Sequence, residues 1–291
     1  MPEHDSKKPA RLSPIAYREE YERGDSAYID LHGRRFRDEG PAEAPHFPAW
    51  QDFTEQSYGT LLDLAAKNYR FAAYNDLKED RHVLWRHDVD ISIPRALRLA
   101  QMEEERRLIA TYFFSFSLPF YNLMEPSIQD IARQIIALGH RAGLHFNVKA
   151  YQGKNLTAAL LEQHIARERD LLSDILKTDI DAVSFHDPEH GGMLSFDQAQ
   201  FAGLVNTYGA QLRKTYGYCS DSNGYWRHKP IPEVVASNEH AKLQVLTHPE
   251  WWTPEALPPR RRVERAVLEA ARGAMKAYDD HLTAARRENI D

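Results

Sequence analysis

The sequence predicts an α/β fold with parallel strands joined by helices, because from Phe53 onward short apolar runs alternate with longer stretches at helical spacing. Several of those runs end in ionisable residues: VLW leads into RHDVD, GL into His145, AVSF into HDPEH and LQVLT into His248. In such folds the carboxyl ends of the strands converge on the site, so four ends of this kind suggest one site in an open sheet or a (β/α) barrel. A length of 291 residues at 42% hydrophobic and 27% charged supplies enough apolar chain for a large core and excludes disorder for most of it.

The elements follow in order. Residues 1–52 read as an N-terminal arm, since they lack sustained periodicity and PAEAPHFPAW spaces its prolines too closely for a helix or a central strand. Its aromatics, among them Tyr17, Tyr21, Tyr28, Phe36, Phe47 and Trp50, are expected to lie against the body or a second subunit, which leaves a homodimer open. The domain proper covers 53–291. It opens with a threonine-capped helix carrying Leu61, Leu62, Leu64 and Ala65 at helical spacing. A strand at HVLW, a helix at PRALRLAQMEEERR with proline near its first turn and a strand at LIATYFFSF come next. SIQDIARQIIALG follows as a helix with Ser127 and Asp130 at capping-box spacing. RAGLHF reads as a strand, residues 156–176 as a helix with Leu161, Ile165, Leu172 and Ile175 on one stripe, and DAVSF as another strand. SFDQAQFAGLVNTYG predicts a further helix, CSDSNGYWRHKP irregular chain and KLQVLTH the last strand. A C-terminal helix begins after Pro258 and Pro259; it is basic and amphipathic, and reads as a surface helix covering the body or a dimer contact rather than a membrane binder.

Lys plus Arg at 37 against Asp plus Glu at 43 gives a net charge of −6, which argues against nucleic acid as a partner. The single cysteine, Cys219, has no internal partner, and MPEHDSKKPARLSP lacks the apolar core of an export signal, so a cytoplasmic location is expected. No stretch approaches the roughly 18 apolar residues of a membrane span.

A period of two places Arg86, Asp88 and Asp90 on one face of their strand and His87 on the other. Neighbouring carboxylates repel unless a cation or a shared proton intervenes, so the pair suits a division of labour in which one Asp holds a metal and the other acts as base. The competing reading is a solvated cluster neutralised by Arg86. His145, His186 and His248 could each be an ordinary hydrogen-bonded histidine, but their shared position at strand ends favours a common site.

Taken together, RHDVD, the GHxxGLH run at Gly139–His145, FHDP, the SDSxGxW segment at Ser220–Trp226 and Leu246-Thr247-His248 resemble the polysaccharide deacetylases, carbohydrate esterase family 4, in that family's order from about Leu84 to Trp252. They are closest to its divergent branch bearing RHDVD. The resemblance implies a distorted (β/α) barrel with one divalent metal, zinc in most members, that hydrolyses an acyl group from an amide-linked sugar. Carried over by residue, it implies Asp88 as general base, Asp90 as metal ligand displaced by Val89, His145 as metal ligand and His248 as general acid. A second metal histidine is expected four residues after His145, where Lys149 stands, and an ammonium cannot ligate. His186 is the candidate replacement, against the reading that it only pairs with Asp187 or Asp88; Asn147 and His190 are poorer donors by type or position. Asp221 is expected either to keep His248 protonated or to form a turn. Arg86, Tyr121, Asp221, Trp226 and Trp251 are the candidate substrate contacts, with core packing as the competing reading for the aromatics.

The function expected is removal of an acetyl or formyl group from a small N-acylated sugar or glycoconjugate, such as a nucleotide-linked sugar, a glycolipid precursor or a small aminoglycoside. The alternatives are an inactive carbohydrate-binding protein and a metal hydrolase of a non-sugar amide or a phosphodiester; a phosphodiester would call for basic contacts beyond Arg86 and Arg227.

Overall fold

Alternation of strand and helix along the chain builds one nine-stranded sheet with helices on its outer face. The computed structural model describes residues 28–29, 35–36, 50–151, 156–189 and 192–290. Their strands are β1 (Tyr28–Ile29), β2 (Arg35–Phe36), β3 (Arg70–Ala72), β4 (His82–Asp88), β5 (Thr111–Phe114), β6 (Arg141–Phe146), β7 (Ile180–Phe185), β8 (Gln200–Phe201), β9 (Leu204–Asn206), β10 (Gly217–Ser220) and β11 (Lys242–Thr247). The helices are α1 (Glu55–Asn68), α2 (Ile93–Glu104), α3 (Pro126–Ala137), α4 (Ala158–Leu176), α5 (Ala210–Thr215), α6 (Ile231–Ser237) and α7 (Pro259–Ala284).

The chain divides into two units, 1–47 and 48–291. In the first, β1 and β2 pair antiparallel with Tyr28 opposite Phe36; apart from these strands and residues 50–52, the expected arm lies outside the described residues. The second holds the large sheet in the order β10-β11-β4-β5-β6-β7-β9-β8, with β3 beside the start of β4. Every pairing in it is parallel except β8 with β9, so the strand carboxyl ends share one side. The sheet curls without closing: β10 and β8 are its ends, yet Gln244 on β11 donates to the Thr207 carbonyl just after β9 at 3.3 Å, across the hollow. This is an open, distorted form of the expected barrel. Among the described residues no helix is long and apolar enough to cross a membrane.

The two faces of the sheet differ in content. Val83, Trp85, Tyr112, Leu144, Val183 and Val245 enter the main core beneath the helices, whereas Leu84, Phe113 and Ala182 join a small cluster in the hollow. Gly143 makes room for it, since a Cβ there would stand 2.4 Å from the Phe113 ring. One irregularity adjusts the register: Ala142 lies opposite Ile180 but Gly143 opposite Ala182, so Asp181 is an extra residue on β7. Arg141 and Asn75 donate to its carboxylate at 2.7 and 3.0 Å.

Side-chain caps start the helices, with Thr54, Ser92 and Thr157 accepting from the backbone N–H three residues on. At α3 the cap is Glu125, which accepts from Ile128 N and Ser127 Oγ, rather than Ser127. The helix predicted over SFDQAQFAGLVNTYG is instead the β8–β9 hairpin. Ala202 and Gly203 both take positive φ, 50° and 78°, which turns the chain back after two residues. Strand β10 begins before the segment read as irregular, and α6 follows it; both are too short to show a period.

Behind β4 lies a fully buried polar group. Glu103 of α2 is fully buried and accepts from Tyr58 OH of α1, from Tyr112 OH of β5 at 2.7 Å and from His87 Nε2 of β4 at 2.6 Å. Burial alone would push its carboxyl up, but the adjacent His87 outweighs this and holds it below the ordinary glutamate value. Thr247 Oγ1 donates to the Arg86 carbonyl and stands 2.7 Å from His87 Nδ1, which ties β11 to β4. Glu103→Ala leaves these donors facing a cavity, and we expect it to lower the unfolding free energy by about 3–5 kcal/mol. The exposed neighbour substitution Glu104→Ala should cost less than about 0.5 kcal/mol; urea denaturation of both variants checks this.

Candidate active site

The carboxyl ends of β4, β6 and β7 bring three metal-competent donors to one point. His145 Nε2 lies 3.0 Å from Asp90 Oδ1, His186 Nδ1 lies 3.5 Å from the same oxygen, and the two nitrogens stand 3.2 Å apart. Among the described residues this is the one group of three or more His, Cys, Asp or Glu with such convergence. Register explains it: His145 pairs with Ser184, so Ser184 and His186, two residues apart, share the inner face with His145.

The hydrogen bonding decides which nitrogen of His145 faces the group. Ser184 Oγ donates to Asp88 Oδ1 at 3.2 Å and lies 2.6 Å from His145 Nδ1. With the hydroxyl proton directed at Asp88, Nδ1 must be the donor to Ser184, which leaves the Nε2 lone pair toward Asp90 and His186. Asp90 Oδ1 is buried and has no hydrogen-bond donor among the described residues. Tetrahedral bonds of about 2.0–2.1 Å to nitrogen and oxygen set ligand atoms roughly 3.3–3.4 Å apart, so one carboxylate and two imidazoles at these separations fit a zinc-type cation. Burial pulls the His186 pKa down but Asp90 raises it overall, so a cation here competes with a proton.

Two further pairs flank this group. Arg86, without solvent exposure, donates through Nη2 to Asp88 Oδ2 at 3.2 Å and to Tyr208 OH at 2.7 Å, its guanidinium lying 5.0 Å from the Tyr208 ring centroid. Beyond β11, His248 Nδ1 is 2.6 Å from Asp221 Oδ1, while Asp221 Oδ2 accepts from His248 N at 2.7 Å and from Trp252 Nε1 at 3.1 Å. Burial lowers the His248 pKa, but the Asp221 carboxylate outweighs it and holds the imidazole up to about 10. Glu250, two residues on, is driven well above the ordinary carboxyl value by burial and then by Asp90, and its Oε2 has no hydrogen-bond partner among the described residues.

Asp88, Asp90, His145, His186 and His248 all line one cleft of about 800 Å³ that opens between the loop after β7 and the β10 edge. Its lining also includes Arg213, Arg227 and His228, exposed side chains with no partner among the described residues. Lys149 does not itself line the cleft but pairs at 2.9 Å with Asp187, which does.

Several expected substrate contacts are placed otherwise. Arg86 is sealed beneath Asp88 and cannot reach a ligand in the cleft. Tyr121 straps the loop after β4, donating to the Val89 carbonyl at 2.8 Å and accepting from Ser115 N at 2.9 Å. Trp226 packs 4.3 Å from Phe53 and donates to Asp52, and Trp251 is buried with its Nε1 on the Ser222 carbonyl, so both serve the core. Asp221 is fully buried and touches His248 instead of the cleft interior. Asn147 makes a turn, accepting from Lys149 N and donating to Ser117 O; His190 lies outside the described residues. Sequence reasoning passed over Ser184, although its spacing of two from His186 already put both on one strand face. Tyr208 and Glu250 carried no such signal.

No family model matches the sequence, and no curated protein matches it. Partial likenesses exist among solved structures. A CE4 family pseudoenzyme from Bacillus anthracis is 11% identical over 67% of this chain and 62% of its own, with a TM-score of 0.37. The catalytic domain of a peptidoglycan N-acetylglucosamine deacetylase from Eubacterium rectale is 12% identical over 68% and 87%, with a TM-score of 0.41. A peptidoglycan deacetylase from Bacillus subtilis is 11% identical over 72% and 96%, with a TM-score of 0.35. This chain thus spans less than two thirds of the pseudoenzyme's length.

The convergence of Asp90, His145 and His186 predicts one equivalent of a divalent metal per chain after dialysis. His145→Ala and His186→Ala should retain less than about a tenth of it, whereas Lys149→Ala should keep the full equivalent. Elemental analysis of the purified proteins reads the difference.

Proposed function

We propose that this chain is a metal-dependent amide hydrolase that removes an acetyl or formyl group from an N-acylated sugar, acting in the cytoplasm. The observation that carries the reading is the meeting of Asp90, His145 and His186 beside a carboxylate, Asp88, and an imidazole paired with Asp221, His248, in one cleft. A divalent cation held by Asp90, His145 and His186 would supply the lowered pKa of a water and a positive charge for the acyl oxygen.

The chain's own groups do the rest. Asp88, oriented by Arg86 and Ser184, takes the proton of the attacking water as its oxygen bonds to the acyl carbon. The carbon becomes tetrahedral. The C–N bond then breaks, and the amine leaves with the proton of His248 Nε2, the donor that remains because Nδ1 is engaged by Asp221. Asp221 keeps that proton available at neutral pH. The products are the free carboxylic acid and the amino sugar. Arg213, Arg227 and His228 on the cleft wall support a substrate that also bears an anionic group, such as a nucleotide-linked or phosphorylated sugar, over a neutral glycan.

Two measurements test this. Asp88→Asn should keep its metal and lose about 10²–10⁴-fold in kcat on N-acyl sugars; full turnover by this variant would remove Asp88 from the base role. A wild type that holds metal and binds such sugars but leaves them intact would replace hydrolysis by carbohydrate binding. The pH profile tests His248 separately. Its pKa is raised above the ordinary imidazole value, so the acid form persists at neutral pH and is lost only as pH rises through about 10. Asp221→Asn should move the alkaline limb of kcat/KM down toward about 6.5.

A further inference from the structure

Among the described residues, helix α7 touches the body only at its start. Arg262 is buried and donates to the carbonyls of Gly224, Trp50 and Phe53, and Ala266 is buried beside it. From Val267 to Ala284 the helix is exposed throughout, with Leu282 alone half-buried. A Cβ built on Gly273 in its middle would meet nothing within 4 Å. An unsupported extension of this length is marginal in water, and an interior glycine weakens it by roughly a further 1 kcal/mol. Its outer surface is nevertheless apolar along one line: Leu268, Met275 and Tyr278 are 44%, 62% and 53% exposed.

The spacing of that line is that of a helix seeking a second helix. Leu268, Ala271, Met275, Tyr278, Leu282 and Ala285 recur at alternating intervals of three and four, with large and small residues in an order that reads sensibly from both ends. Laid against an antiparallel copy of itself, Leu268 meets the partner subunit's Ala285, Ala271 meets the partner subunit's Leu282, and Met275 meets the partner subunit's Tyr278. Every layer then joins a large side chain to a small one, or methionine to tyrosine. The flanking charges agree with this arrangement. Arg272 and Asp279 follow Ala271 and Tyr278 on the same edge of the stripe, so the same twofold axis sets Arg272 against the partner subunit's Asp279, and the reverse.

We propose that α7 is a dimerisation element that pairs antiparallel with α7 of a second copy of this chain through these layers. Sedimentation velocity of the full chain over a range of concentration tests it. The wild type should be a dimer. Met275→Glu, at an exposed position away from the cleft, should raise the dimer Kd at least about tenfold, with the unfolding midpoint of the monomer and the metal content unchanged. Arg272→Asp should also weaken the dimer, and adding Asp279→Arg to it should restore the wild-type Kd. A monomeric wild type, a dimer indifferent to Met275→Glu, or a double swap that fails to restore association would each overturn the proposal.

Discussion

One buried carboxylate organises the half of the molecule from which the site is hung. Glu103 has no access to water, so its charge must be met by protein donors, and those come from three different elements: Tyr58 of α1, His87 of β4 and Tyr112 of β5. With Glu103 itself on α2, four elements are brought into one arrangement by a single group. The same histidine reaches Thr247 through its other nitrogen, and Thr247 reaches the backbone of Arg86. Asp88 and His248 are each the next residue along. The two groups proposed as base and acid are therefore spaced from the far side of the sheet, where solvent does not reach.

The hollow of the sheet works by a different rule. Its lower part is filled by Phe113, Leu84 and Tyr74, and the guanidinium of Arg86 lies over Phe113 at 5.6 Å, closing the polar site off from below. Above that floor, Arg86, Asp88, Ser184 and His145 form a continuous chain of hydrogen bonds that leaves one imidazole nitrogen with its lone pair outward. The donors of the candidate metal group are unequal in their support. His145 sits within a strand, whereas Asp90 stands on a loop held by the Tyr121 hydroxyl on the Val89 carbonyl.

Much of this was legible in the residues because it depends on period two and on strand ends. Alternation in RHDVD separates His87 from Arg86 and Asp88, and the position of His186 after AVSF is enough to bring it beside His145. What could not be read depends on contacts remote in sequence. Arg86 looks like a ligand-binding arginine until the burial of β4 places it under Asp88. Trp226 and Trp251 look like sugar platforms until Phe53 and Gly224 are packed against them. The β8–β9 hairpin was hidden because Ala202, a helix-favouring residue, takes the positive φ of a turn.

The additional residue in β7 carries a lesson about comparison between chains. Ile180 faces the outer core, and a plain alternating strand that kept Asp181 would turn Ser184 and His186 outward, exchanging them for Val183 and Phe185. The bulge absorbs the extra residue, so the upper half of the strand keeps its facing whatever the length of the lower half. A chain with the same site and a regular strand would run one position out of step with this one from there back to α4. Insertions at such a point change the spelling of a site without changing its shape, and gap-free alignment is the wrong ruler for it.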